Sequence, residues 1–197
     1  MALDEHLPDG PSRRALLRTA GAGIAAGSSL LLAGCGGAAK PRRKLVAGSD
    51  PVAVRDEDIA VLNEVLDLEN EAIASYEAGI QLLSGHARAA AAQFLGQELA
   101  HATKLESTIR AAGAKPHPPR SSYPLGNPSD EAAVLRQLST TEASLVNAYL
   151  LAIPKLTPGW LRAVAAGILA NESQHVSVLR MLRGRPPVPG AFVTAAE

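Results

Sequence analysis
Asn171-Glu172-Ser173-Gln174-His175 stands in the middle of a long helical pattern, and Gln97-Glu98-Leu99-Ala100-His101 is its twin. Each holds Glu-x-x-His. Three residues along an α-helix make about 300° of rotation, so the two side chains lie about 60° apart on one face. Two donor groups aimed the same way are what a metal ion needs. A single pair is a weak signal. The apolar pattern around these two makes it a strong one.

Outward from both stretches, apolar residues recur in steps of three and four, the period of a bundle helix. The first helix is expected from Asp56, with the seam Ile59, Leu62, Leu66, Glu69, Ile73, Tyr76, Ile80 and Leu83, and Ser84-Gly85 as its close. The second runs from about His86 to Ala112, with Ala91, Phe94, Glu98, His101, Leu105 and Thr108 in its seam, and Gly113 ends it. Residues 114–129 contain Pro116, Pro118, Pro119, Pro124 and Pro128, which predicts a long non-helical connection. Ser129-Asp130 caps the third helix, whose seam is Leu135, Leu138, Glu142, Leu145, Tyr149 and Ala152, up to Pro154. Thr157-Pro158 reads as a cap with Pro at the first helical position of the fourth. That helix carries Leu161, Ala165, Ile168, Glu172, His175, Leu179 and Leu182, and Gly184 with Pro186-Pro187 finishes it. The tail, 185–197, is too Pro-rich for a fifth helix. Connections that are short, long and short predict an all-α, antiparallel four-helix bundle over 56–184, with one long crossover between helices 2 and 3.

The two halves repeat. Glu98 follows Glu69 by 29 residues, and Glu172 follows Glu142 by 30. Tyr76 lies seven after Glu69, as Tyr149 does after Glu142. Every seam therefore holds one Glu midway, and two hold a His as well. Four carboxylates in an apolar core cost several kcal/mol each when unpaired, on the order of what a domain can spare. No Lys or Arg stands in a seam to pair with them. Two divalent cations would balance the four acids, and two imidazoles would complete the ligand set. Without metal, the centre would hold clustered negative charge. A lone Glu from two helices and Glu-x-x-His from the other two is the pattern of di-iron and di-manganese carboxylate bundles. Oxygen and imidazole donors suit iron first and manganese as an alternative, and zinc is compatible.

On these residues the chain resembles the ferritin-like superfamily, which includes ferritins, bacterioferritins, rubrerythrins and manganese catalases. It is most similar to the exported bacterial members. The resemblance implies that Glu98 and Glu172 bridge two metals, that Glu69 and Glu142 are terminal ligands, and that His101 and His175 bind one metal each. Glu64 and Glu71 lie off the seam. Glu77 and Glu106 lie about 80° from it and are kept as candidate extra ligands. Tyr76 and Tyr149 share the acids' face and have two readings: partners of a ligand or electron carriers, or half-buried core tyrosines, the second being preferred. His86 reads as a helix-start residue, His117 as a loop residue and Trp160 as packing. Rubrerythrins carry a Cys-rich iron domain as electron donor. Cys35 is the only cysteine here, so no such domain is expected.

The N-terminal 34 residues read as an address. Arg13-Arg14 before a mildly apolar run, Ala20 to Ala33, resembles a twin-arginine export signal. Leu32-Ala33-Gly34-Cys35 resembles a bacterial lipoprotein cleavage box, which makes Cys35 the lipid-bearing first residue of the mature protein. Residues 35–55 lack periodicity and read as a flexible tether with the basic run Lys40, Arg42, Arg43 and Lys44. A formal net charge of zero gives no basis for nucleic-acid binding. The expected location is the outer face of the cytoplasmic membrane, held there by lipid. A lipid-tethered N-terminus and a Pro-rich tail argue against a storage cage, while a homodimer is compatible. The leading reading is a di-metal oxidoreductase acting on O₂ or H₂O₂, as a ferroxidase, peroxidase or catalase, with its electron donor open. A metal-binding or metal-delivery protein without turnover is the second reading, and a degenerate structural bundle the third.

Overall fold
Asp56, Glu57 and Asp58 open the first helix, α1 (Asp56–Gly79), where unpaired N–H groups and the helix dipole favour negative charge. The computed structural model describes residues 52–192. Arg13, Arg14, Cys35 and most of the expected tether lie outside that range. Among the described residues there are four long helices and no strand: α1, α2 (Gly85–Ala111), α3 (Glu131–Ala152) and α4 (Gly159–Leu182). None of them is long and apolar enough to cross a membrane.

Side chains tie the ends of the bundle together. Asp58 accepts the Arg55 N–H at 2.9 Å and the Thr157 N–H at 2.7 Å, which joins the start of α1 to the α3–α4 turn. Burial alone would raise its pKa, yet those N–H groups and the Arg55 charge hold it below its ordinary value. At the other end, Glu131 accepts the Ser84 N–H at 2.9 Å and the Ser84 hydroxyl at 2.7 Å. The start of α3 thus meets the end of α1, so these neighbours run antiparallel. Gly79 is why they approach closely there: an added Cβ would stand 2.7 Å from Val134 Cγ1. Asp130 caps α3 by accepting the Ala133 N–H at 2.8 Å.

Two boundaries differ from the sequence reading. Gly85 does not close α1. It opens α2 with φ 46°, after the first helix has tightened into a 3₁₀ turn over Ile80–Leu82. Thr157 is not the cap of α4, because its N–H is taken by Asp58; Pro158 holds the capping position. The long connection must return along the whole bundle, about 36 Å for a helix of this length. It is pinned on the way, with the His117 N–H donating to Asn63 Oδ1 at 2.8 Å and its ring 3.2 Å from Asp67. His117 is thus a loop residue that holds the crossover to α1.

Most seam positions are buried, and they form two apolar layers. One gathers Leu62, Leu66, Leu105, Leu145, Tyr149, Leu161 and Ile168. The other gathers Tyr76, Leu83, Phe94, Val134, Leu138 and Leu179. Each buried Leu or Phe contributes about 1.5–3 kcal/mol. Ile73 and Ile80 fall at the edge, and Ala72 takes a core place instead. Trp160, expected as packing, is 45% exposed, and Leu161 beside it is the buried residue. α1 packs closely on α2 and α3, and α3 on α4, whereas the two helices carrying Glu-x-x-His touch each other little. The six seam donors lie between the two layers.

Candidate metal centre
Glu69 comes from α1, Glu98 and His101 from α2, Glu142 from α3, and Glu172 and His175 from α4. The helical period turns each inward at the same height, so all six meet. Their donor atoms form two groups, each spanning no more than 4.8 Å: Glu69, Glu98, His101 and Glu172, and Glu98, Glu142, Glu172 and His175. Glu98 and Glu172 belong to both groups, and Glu69 and Glu142 to one each. His101 Nδ1 lies 2.8 Å from Glu172 Oε1, 3.4 Å from Glu98 Oε2 and 3.6 Å from Glu69 Oε2. His175 Nδ1 lies 2.9 Å from Glu98 Oε1, 3.2 Å from Glu172 Oε2 and 3.4 Å from Glu142 Oε2.

The donors point at a common centre more than at one another. Seven buried side-chain atoms among the described residues lack an aligned hydrogen bond, and six of them are here: Glu69 Oε2, Glu98 Oε1, Glu142 Oε2, both Glu172 oxygens and His175 Nδ1. His101 Nδ1 keeps a hydrogen bond with Glu98 Oε2 at 3.4 Å, whereas the contacts of His175 Nδ1 are close ion pairs without hydrogen-bond alignment. Buried polar atoms are almost always satisfied, so a cluster of unsatisfied ones calls for a partner, and these donors could hold a metal ion. The donor set and its charge fit two divalent cations.

The tyrosines correct the preferred reading of them. Both are fully buried, not half-buried. The Tyr76 hydroxyl donates to Glu142 Oε1 and the Tyr149 hydroxyl to Glu69 Oε1. Each crosses from its own helix to the lone acid of the other half. Burial, then the facing carboxylate, raises both phenols well above their ordinary value, so they remain donors. The candidate extra ligands take no part: Glu77 is exposed, and Glu106 pairs with Arg110 at 2.9 Å.

Protonation also differs from the expected cluster of negative charge. Burial drives Glu69 well above its ordinary value and Glu142 to about 8, against the pull of His101 and His175 respectively. Burial would raise Glu98 too, but His101, His175 and Glu69 around it bring it down to about 2. Glu172 is likewise lowered, as the two imidazoles outweigh its burial. Burial works against charge on His101 and His175, and the surrounding acids override it, raising them to about 12 and about 11. Burial thus favours the neutral form of Glu69 and Glu142, while the mutual pull of acids and imidazoles favours the charged form of Glu98, Glu172, His101 and His175.

The family-model match covers residues 57–185 and is described as a ferritin-like domain. The chain belongs to the ferritin-like family. Similar solved structures agree in fold. A conserved hypothetical protein of Mycobacterium tuberculosis superposes with TM-score 0.63 at 20% identity, over 69% of this chain and 96% of that one. A ferritin-like, diiron-carboxylate protein of Bacillus anthracis gives 0.57 at 23%, over 64% and 95%. A bacterioferritin-related protein of Bacteroides fragilis, described as a dodecameric thioferritin, gives 0.56 at 22%, over 63% and 82%. No curated protein matches the chain.

Two neighbours of the ferritin-like centre escaped the sequence reading. Gln97 Oε1 sits 2.8 Å from His175 Nε2. Phe94, expected only as core, stacks on the His175 ring with centroids 4.1 Å apart. Gln97 stands beside Glu98 in the very stretch that reveals the site. Comparison of the residue before each motif Glu, Gln97 against Asn171, was the available signal.

Proposed function
We propose that this ferritin-like bundle holds two divalent ions, iron first and manganese as an alternative, and acts as an oxidoreductase on O₂ or H₂O₂. The convergence of unsatisfied buried donors carries the reading. Glu98 and Glu172 would be shared between the ions, Glu69 and Glu142 would serve one each, and His101 and His175 would complete the two sets. Bound iron would supply two electrons, one from each ion, enough to convert H₂O₂ and two protons into two waters. The residues do the rest. Tyr76 and Tyr149 hold the lone acids in place. The apolar layers exclude water on both sides. His101, at 12% exposure, gives the centre its contact with solvent, while His175 is sealed at 1%. This closure also favours the second reading, a metal-binding or metal-delivery protein without turnover.

Peroxide consumption by the purified chain, measured after loading with Fe(II) or Mn(II) and compared with metal-free protein, separates the two. Turnover that scales with metal content supports the oxidoreductase. Full loading with no turnover supports binding alone. The location proposed is the outer face of the cytoplasmic membrane, through lipid on Cys35 after twin-arginine export. Its support is the sequence of residues 12–35.

A further inference from the structure
The internal two-fold that repeats Glu, Tyr and Glu-x-x-His breaks around the histidines. His175 Nε2 faces Gln97 Oε1 at 2.8 Å, across the loosely packed seam between α2 and α4. The residue matching Gln97 in the other half is Asn171, one methylene shorter. No side chain among the described residues bonds His101 Nε2. Phe94, four before Glu98, stacks on His175, while Ile168, four before Glu172, offers no ring to His101. The two rings also differ in exposure, 1% for His175 and 12% for His101.

An acceptor at Nε2 has a defined effect. It keeps the ring proton on Nε2, so the neutral imidazole carries its lone pair on Nδ1. Nδ1 is the atom facing Glu98, Glu142 and Glu172. The same hydrogen bond fixes the ring plane and makes Nδ1 a better donor. His101 must find its orientation without such help and with water at its edge.

We propose that Gln97 is a positioning residue that makes the two metal positions unequal: the position served by His175 fills first and holds its ion more tightly, and the position served by His101 is the exchangeable one. The inference rests on the dinuclear reading above and goes beyond it by ranking the two positions.

The test is a titration of the purified full chain with Mn(II), followed by the resonance signal of free Mn(II). Two ions should bind, with dissociation constants at least about tenfold apart. His175→Ala should abolish the tighter phase, and His101→Ala should abolish the weaker. Gln97→Leu should weaken the tighter phase by about 10–100-fold and leave the weaker one in place. Gln97→Glu keeps an acceptor at the same reach and should restore tight binding, which separates positioning from a fault in packing. Two ions of equal affinity in the wild type, or a Gln97→Leu variant with both constants unchanged, overturns the proposal and leaves the dinuclear reading standing. A wild type that binds no Mn(II) overturns both.

Discussion

Loading the metal-free centre with two divalent ions at pH 7 should release about four protons. Burial raises Glu69 well above its ordinary value and Glu142 to about 8, so both favour the protonated form at neutral pH. His101 at about 12 and His175 at about 11 are both imidazolium. Glu98 at about 2 and the lowered Glu172 are already carboxylates. Metal binding requires four carboxylates and two neutral imidazoles. Glu69, Glu142, His101 and His175 must therefore each give up a proton. Net charge is zero before, from two anions and two cations, and zero after, from two dications on four anions. Loss of about four protons makes the overall binding constant rise about ten-thousandfold per pH unit near neutrality, about a hundredfold for each ion. Calorimetric titration with Mn(II) in two buffers of unlike ionisation enthalpy, at one pH, counts the protons from the difference in heat. Two ions bound with almost no proton release would contradict this charge assignment. The acids would then already be ionised, and the ion pairs described for the centre would not govern its charge.

Three further outcomes follow from the same residues. Without metal, stability should peak near about pH 4.5 in chelator-containing melts and fall at higher pH. The raised Glu69 and Glu142 contribute stability that is present below 4.5 and lost as pH rises, through about 8 for Glu142; His101 and His175 contribute stability present below 6.5 and lost toward about 12 and about 11. Glu98 acts oppositely, its share being lost as pH falls from 4.5 toward about 2, and a midpoint flat between pH 6 and 9 would count against these assignments. Tyr149→Phe deprives Glu69 of its donor and should cost the metal-free bundle about 1–3 kcal/mol, a fall of several degrees in its thermal midpoint; an unchanged midpoint would show the hydroxyl to be idle. Cys35→Ala should release the protein from membranes or leave it uncleaved, and Arg13→Lys with Arg14→Lys should strand precursor in the cytoplasm; normal size and fractionation of either variant would count against the matching part of the export proposal.

The six donors were legible because charge in an apolar seam is conspicuous. Glu69 and Glu142 interrupt runs of Leu and Ile at a helical step, and the repeat of Glu-x-x-His removes most of the room for accident. The fold followed from the same period, with Pro116 to Pro128 marking the one connection that cannot be helical. Contacts that depend on how helices sit against each other were not legible. Tyr76 follows Glu69 by seven residues, yet its hydroxyl serves Glu142, because the neighbouring helix brings that acid closer. Gln97 reaches His175 only through the spacing of α2 and α4. Thr157 looks like a cap until the Asp58 carboxylate claims its N–H. Protonation was the largest departure: four acids in sequence suggest repulsion, whereas burial raises two of them and the two imidazoles lower the other two.

Diffraction from crystals of the purified full chain loaded with Mn(II) or Fe(II), recorded at the metal's absorption edge, would locate the two ions. Two anomalous peaks are expected inside the bundle, one beside His101 Nδ1 and one beside His175 Nδ1, with Glu98 and Glu172 touching both. Loaded crystals with no peak between the helices, or with metal only on the outer surface, would contradict the dinuclear centre.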